Sequence, residues 1–220
     1  MFETLTAADG HAFQCWMQPA EGEVRGGLVI LQEIFGVTDQ LKGVARRYAS
    51  QGLNVAIPAL FDRQAPGTVV PFAEAPKGRD LMLAASLEAN MADTAAAVAA
   101  LKARGSRKVA VLGFCWGGGL AVRAAQVLDV ACAVSFYGTR LPTYLDRPLV
   151  HPVQGHFGLS DDHTPPAVVE QVKAALPGFE IFLYEAGHAF ANDARAPVYV
   201  PEAAEQAHAR TAGFLAEHLA

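Results

Sequence analysis

KVAVLGFCWGGGL, residues 108–120, reads as a strand driven through one tight turn into a helix. The apolar run Val109-Ala110-Val111-Leu112 has the composition of a buried strand in a parallel sheet. It meets Gly113, then Phe114-Cys115-Trp116, then three glycines, and an alanine-rich stretch from Leu120 to Leu128 has helical character. A nucleophile-type residue with glycine two before and two after it, between strand and helix, is the G-x-S-x-G elbow with cysteine in place of serine. The turn is strained and neighbouring Cβ atoms would collide in it, so Gly113 and Gly117 keep the space open. The first N–H groups of the following helix, with its positive dipole end, then point at the sulfur and favour thiolate over thiol. The competing reading is a buried structural cysteine beside a glycine turn. The rest of the chain decides between them.

Outward from the elbow, strand and helix patterns alternate. Upstream, Phe2 to Gln18 reads as two antiparallel strands turning at Ala8-Asp9-Gly10, and Gly26 to Gln32 as a buried strand followed by an irregular loop. Leu41 to Gln51 has apolar residues at helical spacing, and Leu53 to Pro58 is a strand closed by its proline. Phe61 to Lys77, with three prolines, is a long surface loop of the kind that forms a pocket wall or lid. Gly78 to Arg104 is a helical run with Asn90 as its point of interruption. Downstream come strands over 131–137, 152–157 and 179–184, with helices over 166–176 and 201–219. Alternation from residue 26 onward demands parallel pairing with right-handed crossovers. The predicted fold is a three-layer α/β sandwich of the α/β-hydrolase type, mostly parallel, with an antiparallel N-terminal hairpin. The active site of such a sheet lies outside the carboxyl ends of its strands, where Cys115 falls.

Composition narrows the function. The 220 residues suit one domain, 1–220, with no charge block or Pro/Gly cluster to mark a linker. Seventeen basic against 22 acidic residues give a net charge of -5, which argues against a nucleic-acid partner. No stretch reaches the roughly 18 apolar residues of a membrane span, and the N-terminus lacks the pattern of a signal peptide. Three cysteines, Cys15, Cys115 and Cys132, suit a reduced cytoplasmic compartment better than a disulfide framework. Cys15 and Cys132 fall in strand-like runs and read as core. The expected assembly is a monomer or small homo-oligomer.

A cysteine nucleophile needs a histidine base, and the base needs an acceptor to orient it. Of seven histidines, His11 precedes the elbow, His208 and His218 lie in the closing helix as solvated or capping side chains, His151 precedes its strand, and His156 lies within one. His188, in YEAGHAF after the last strand, is the base. Asp161 in GLSDDHTPP is the acid, with Asp162 as its alternate. No histidine pair at helical spacing and no cysteine pair supports a metal, so no metal and no cofactor are expected. Glu33, at the end of a buried strand in QEIFG, faces the same crevice. Burial would raise its pKa and let it hold or trade a proton with the thiol. The N–H groups of Ile34 and Trp116 are the expected oxyanion donors. Phe35 and Tyr137, near strand ends, are candidates for the pocket lining.

QEIFGV at 32–37, RQAPGT at 63–68, GFCWGG at 113–118, GLSDDHTPP at 158–166 and YEAGHAFA at 184–191 together resemble the dienelactone hydrolase family, the carboxymethylenebutenolidases. The resemblance spans nearly the whole chain. It implies a cofactor-free cysteine hydrolase with Cys115, Asp161 and His188 as its triad, acting on enol-lactones or small activated esters. It also implies a resting state in which the thiol turns towards Glu33 until substrate displaces it. The best-known members bind a substrate carboxylate with arginines, one of them four residues after the catalytic histidine. This chain has Asn192 there, with Arg79 and Lys77 the nearest basic residues to the second position and Arg195 a further one downstream. An asparagine cannot supply a guanidinium fork. The alternative is a non-catalytic homologue using Cys115 as a redox or binding residue. Alkylation of the thiol separates the two, because only an enzyme has turnover to lose.

Overall fold

The computed structural model describes residues 1–220. Its elements in chain order are β1 (Phe2–Thr6), β2 (Ala12–Gln18), β3 (Gly26–Leu31), α1 (Asp39–Ala49), β4 (Leu53–Pro58), α2 (Ala75–Ala84), α3 (Leu87–Ala103), β5 (Val109–Phe114), α4 (Trp116–Val127), β6 (Ala133–Phe136), β7 (Val153–Gly158), α5 (Pro166–Ala175), β8 (Phe179–Tyr184) and α6 (Pro201–Leu219). The strands form one sheet in the order β1-β2-β4-β3-β5-β6-β7-β8. β1–β2 and β2–β4 pair antiparallel, and β3–β4, β5–β6, β6–β7 and β7–β8 pair parallel. This is the expected α/β fold with its antiparallel hairpin. Where the sequence suggests one domain, contacts group the chain into two units, residues 1–110 with 219–220 and residues 111–218, dividing inside β5.

In the first unit, β2 alternates between buried and half-exposed positions, placing Phe13, Cys15 and Met17 inside. β3 and β4 are buried at every position, as strands covered on both faces must be. α1 packs on β2 and β4, and α3 packs on β1, β3 and β4. α1 starts where Thr38 caps the Leu41 N–H at 3.2 Å, with Asp39 in its first turn and Arg46 and Arg47 in its last. The long helical run breaks four residues before the expected point. Ser86, not Asn90, is the boundary: its hydroxyl accepts the Ala89 N–H at 3.3 Å and donates to Glu88. Such a cap contributes about 1 kcal/mol. Asn90 sits buried inside α3. The predicted 61–77 loop is also shorter than expected, since a 3-10 turn at Phe72–Glu74 leads directly into α2.

In the second unit, strand register sorts side chains onto two faces. Phe114, Phe136, His156 and Phe182 are successive partners across β5, β6, β7 and β8, and so form one row. α6 covers that row: the His208 ring lies 4.9 Å from Phe136, and the Arg210 guanidinium lies 4.3 Å from the Phe182 ring. The adjacent row is Gly113, Ser135, Gly155 and Ile181. It is small beside α4, where a Cβ on Gly118 would come within 3.0 Å of the Ser135 hydroxyl. Helix, sheet and helix are the three layers, with bulk against α6 and small residues against α4.

Candidate active site

The elbow is built by close approach. A Cβ on Gly113 would lie 1.9 Å from the Gly117 carbonyl oxygen, so only glycine lets α4 start this near β5. One residue, Cys115, separates β5 from α4, and it takes φ 53° and ψ -117°. That backbone costs a non-glycine residue about 1–3 kcal/mol and persists only where its surroundings over-determine it. They do so here. The Cys115 N–H donates to Phe136 O at 3.0 Å, and the Cys115 carbonyl accepts from Gly118, Gly119 and Thr139 at 3.0, 3.3 and 3.0 Å. Tyr137 (φ 36°), just past β6, and Ala189 (φ 62°), just past His188, are also held at positive φ. Unusual backbone therefore gathers at the carboxyl ends of β5 and β6 and beside the histidine that follows β8.

Three side chains meet there. His188 Nδ1 lies 2.8 Å from Asp161 Oδ2, with the aspartate side chain fully buried and the histidine side chain 15% exposed. A carboxylate can only accept, so Nδ1 carries the proton. Cys115 is the second hydrogen-bonding partner of His188, and Nε2 is the nitrogen left for it. Asp161 Oδ1 accepts the N–H groups of His163 (2.8 Å) and Thr164 (3.1 Å). The Thr164 hydroxyl donates to Gly138 O at 2.8 Å and ties this loop to the end of β6. Asp162, the alternate acid, is exposed.

The electrostatics follow from these partners. Burial disfavours the His188 cation, but the hydrogen bonds to Asp161 and Cys115, with the negative charges they bring, outweigh it and push the pKa up to about 10. Burial also pushes Asp161 upward. The hydrogen bond from His188 and the N–H groups of His163 and Thr164 reverse that and hold the carboxyl below its ordinary range. By contrast, burial pushes the thiols of Cys15 and Cys132 up to about 12, as inert core residues. The arrangement can hold a thiolate–imidazolium pair oriented by a carboxylate, which is the equipment of covalent acyl transfer.

The remaining expected residues fall in two places. In the second unit, Trp116 is the first residue of α4, so its N–H points out of the helix N-terminus. Tyr137 is buried and packs edge-on against His188, ring centroids 5.2 Å apart. Asn192 is buried, and its side-chain oxygen accepts the Ala194 N–H at 3.2 Å, which makes it a turn-former in the loop after His188. In the first unit, Glu33, Ile34 and Phe35 follow β3, with Glu33 and Phe35 buried. Phe35 packs edge-on against Phe72 at 4.8 Å, and its carbonyl accepts the Val70 N–H at 3.0 Å. A Cβ on Gly78 would lie 1.9 Å from Ile34 O, so α2 seats directly on this loop. Arg79 is exposed on α2.

Two features escape sequence reasoning. His208 is not a solvated helix residue but 5% exposed, packed on Phe136. His163 lies with its ring 4.5 Å from that of His188; its only sequence signal is adjacency to the acid. No helix is long and apolar enough to cross a membrane.

Comparison with known proteins identifies the family and the fold. The model of the dienelactone hydrolase family matches residues 15–219. The carboxymethylenebutenolidase of Pseudomonas putida is 33% identical over 225 residues, covering 97% of this chain and 94% of its own. Among solved structures, a Klebsiella pneumoniae protein titled a dienelactone hydrolase superposes with a TM-score of 0.81 at 27% identity, covering 98% of this chain and 99% of its own. A dienelactone hydrolase-like promiscuous phosphotriesterase from metagenomic libraries shares the fold, with a TM-score of 0.81 at 19% identity over 99% of this chain and 98% of its own.

Proposed function

The chain belongs to the dienelactone hydrolase family, and from that premise we propose that it is a cysteine hydrolase of lactones or activated carboxylic esters that works through Cys115, His188 and Asp161. At the coarser level it is a carboxylic ester hydrolase acting on a small-molecule lactone or ester. One observation carries the finer reading: His188 bridges Asp161 and Cys115, with its Nδ1 proton committed to the carboxylate at 2.8 Å. The Cys115 thiolate attacks the carbonyl carbon, and the π electrons move to the oxygen. The N–H of Trp116 stabilises that oxyanion, and by the family pattern the N–H of Ile34 is the second donor. Each such donor is worth about 3–4 kcal/mol. Collapse breaks the acyl C–O bond. The leaving oxygen, enolate or alkoxide, takes the proton of His188, and a thioester and a neutral imidazole remain. His188 then removes a proton from water as the water attacks. The thioester C–S bond breaks, and the acid product and thiolate are released. The family pattern further makes Glu33 the resting partner of the thiol.

Steady-state hydrolysis of a cis-dienelactone beside a neutral 4-nitrophenyl ester tests this, before and after iodoacetamide and in Cys115→Ala. The expected result is turnover of at least one substrate, abolished by alkylation and reduced by about 10⁴-fold or more in the variant, as removal of a triad member does elsewhere. Turnover that survives in Cys115→Ala overturns the mechanism. Dienelactone turnover would mean that another group does the work of the arginine replaced by Asn192, and turnover of the neutral ester alone would move the substrate class away from carboxylated lactones.

A further inference from the structure

A second imidazole stands at the edge of the triad. His163 stands between Asp161 and α5, exposed, with its ring tilted 58° to that of His188 at a centroid distance of 4.5 Å. Its backbone N–H holds Asp161 Oδ1 at 2.8 Å, a bond that any residue except proline would make. The backbone therefore serves the acid whatever the side chain is, and a phenyl ring would pack on His188 as well. What the imidazole adds is a charge it can gain or lose in the physiological range.

That charge has a use at this site. With Cys115 as thiolate, His188 as imidazolium and Asp161 as carboxylate, the triad carries one net negative charge. It repels a substrate bearing an anionic group. A proton on a ring in contact with His188 cancels that repulsion beside the reacting atoms. The ionisable groups around His163 include Asp161 and the exposed Asp162 on its own loop, His188 on the loop after β8, Cys115 at the elbow beyond it, and Tyr137 from the end of β6, packed on His188. The bonds made and broken at the carbonyl are the same for charged and uncharged esters, so the charge acts on which substrate is drawn in. We propose that His163 is a specificity-determining residue, drawing the anionic oxygen of a carboxylate-bearing ester or lactone towards Cys115 when protonated and favouring uncharged substrates when neutral. The inference rests on the triad reading above.

The test is the ratio of kcat/KM for mono-4-nitrophenyl adipate to that for its neutral methyl-capped diester, measured from pH 8 to 5.5. Because both esters share the chemistry, the ratio isolates the charge effect. In the wild type it rises about tenfold as pH falls, the size of one charge interaction at a partly exposed contact. In His163→Phe it is flat and low, and in His163→Lys it is high and flat. A flat ratio in the wild type, or an equal rise in His163→Phe, overturns the role of His163. If turnover of both esters survives in Cys115→Ala, the triad reading fails and takes this inference with it. Turnover that needs Cys115, combined with a flat ratio, defeats the His163 inference alone.

Discussion

His188 and His156 lie in the same unit, one in the loop after β8 and the other inside β7, and both are largely withdrawn from water. Their titrations diverge. Burial, helped by the positive charges of His208 and Arg210, drives His156 down to about 3. Burial acts on His188 in the same sense, yet Asp161 and Cys115 lift it to about 10. Their protons also sit differently. Arg210 Nη1 donates to the Tyr184 hydroxyl at 2.9 Å, so the hydroxyl hydrogen goes to His156 Nδ1 at 2.8 Å. His156 Nε2–H then serves Gln154 Oε1 (3.1 Å) and Thr211 Oγ1 (3.0 Å), and Gln154 passes the chain to Glu180 at 2.7 Å. His188 keeps its proton on Nδ1 for Asp161. A buried imidazole among neutral partners is a structural bond, whereas one between a carboxylate and a thiol is a base. The position of the charged partners, not depth, separates the two.

Breaking that difference at its source should have the largest effect. Asp161→Asn keeps the side-chain volume but removes the charge and the obligatory acceptor. The expected loss in kcat/KM is about 10³–10⁴-fold, the scale seen when a triad carboxylate becomes an amide. Imidazole NMR should show His188 titrating well below its native value of about 10. If His188 in Asp161→Asn still titrates near there, the thiol alone supports the cation and the carboxylate's part is only to orient.

The next effect is in stability, where the two histidines set opposite limbs. The pKa of His156 is depressed on folding, so its contribution is full above the unfolded value near 6.5 and is lost as pH falls towards 3. The pKa of His188 is raised, so its contribution is full below 6.5 and is lost as pH rises towards 10. Urea unfolding across pH should give a maximum near 6–7, with each limb falling by about 1.4 kcal/mol per pH unit from these groups. His156→Gln keeps hydrogen-bonding capacity and removes the titration. It should cost about 1–3 kcal/mol at pH 7 and take this steepness out of the acid limb alone. An acid limb of unchanged slope would mean that other groups carry it.

The two histidines were unequally legible in the sequence. Cys115, Asp161 and His188 each stand just past a strand, and a parallel sheet sends all such residues to one edge, so order along the chain was enough to propose them. His156 and His208 carry no such mark. Their partners (Tyr184, Thr211, Phe136) come from elements tens of residues away, and only the register of β6, β7 and β8 against α6 assembles them. The same limit explains Asn90, whose poor helix propensity suggested a break, while burial within α3 holds it in the helix and the Ser86 cap sets the boundary. It also explains Asn192, read against an arginine of the family although the Asx turn to Ala194 is what the loop makes of it. Local turn and strand signals survive in a sequence, and side-chain company does not.

The smallest test asks whether the hydroxyl or the burial keeps His156 neutral. Tyr184→Phe removes the group that receives from Arg210 and donates to His156 Nδ1, while the ring keeps its packing 5.1 Å from Phe190. One neutral hydrogen bond inside the protein is worth about 0.5–1.5 kcal/mol, so the unfolding free energy at pH 7 should fall by that much and no more. The acid limb should keep its slope, because desolvation and the positive charges of His208 and Arg210 remain, and each disfavours the cation. If instead the limb flattens, the donated hydrogen bond was what reserved Nδ1 as an acceptor and kept the second proton off. His156 and His188 would then differ less by the charge of their partners than by the direction in which a single hydrogen bond runs.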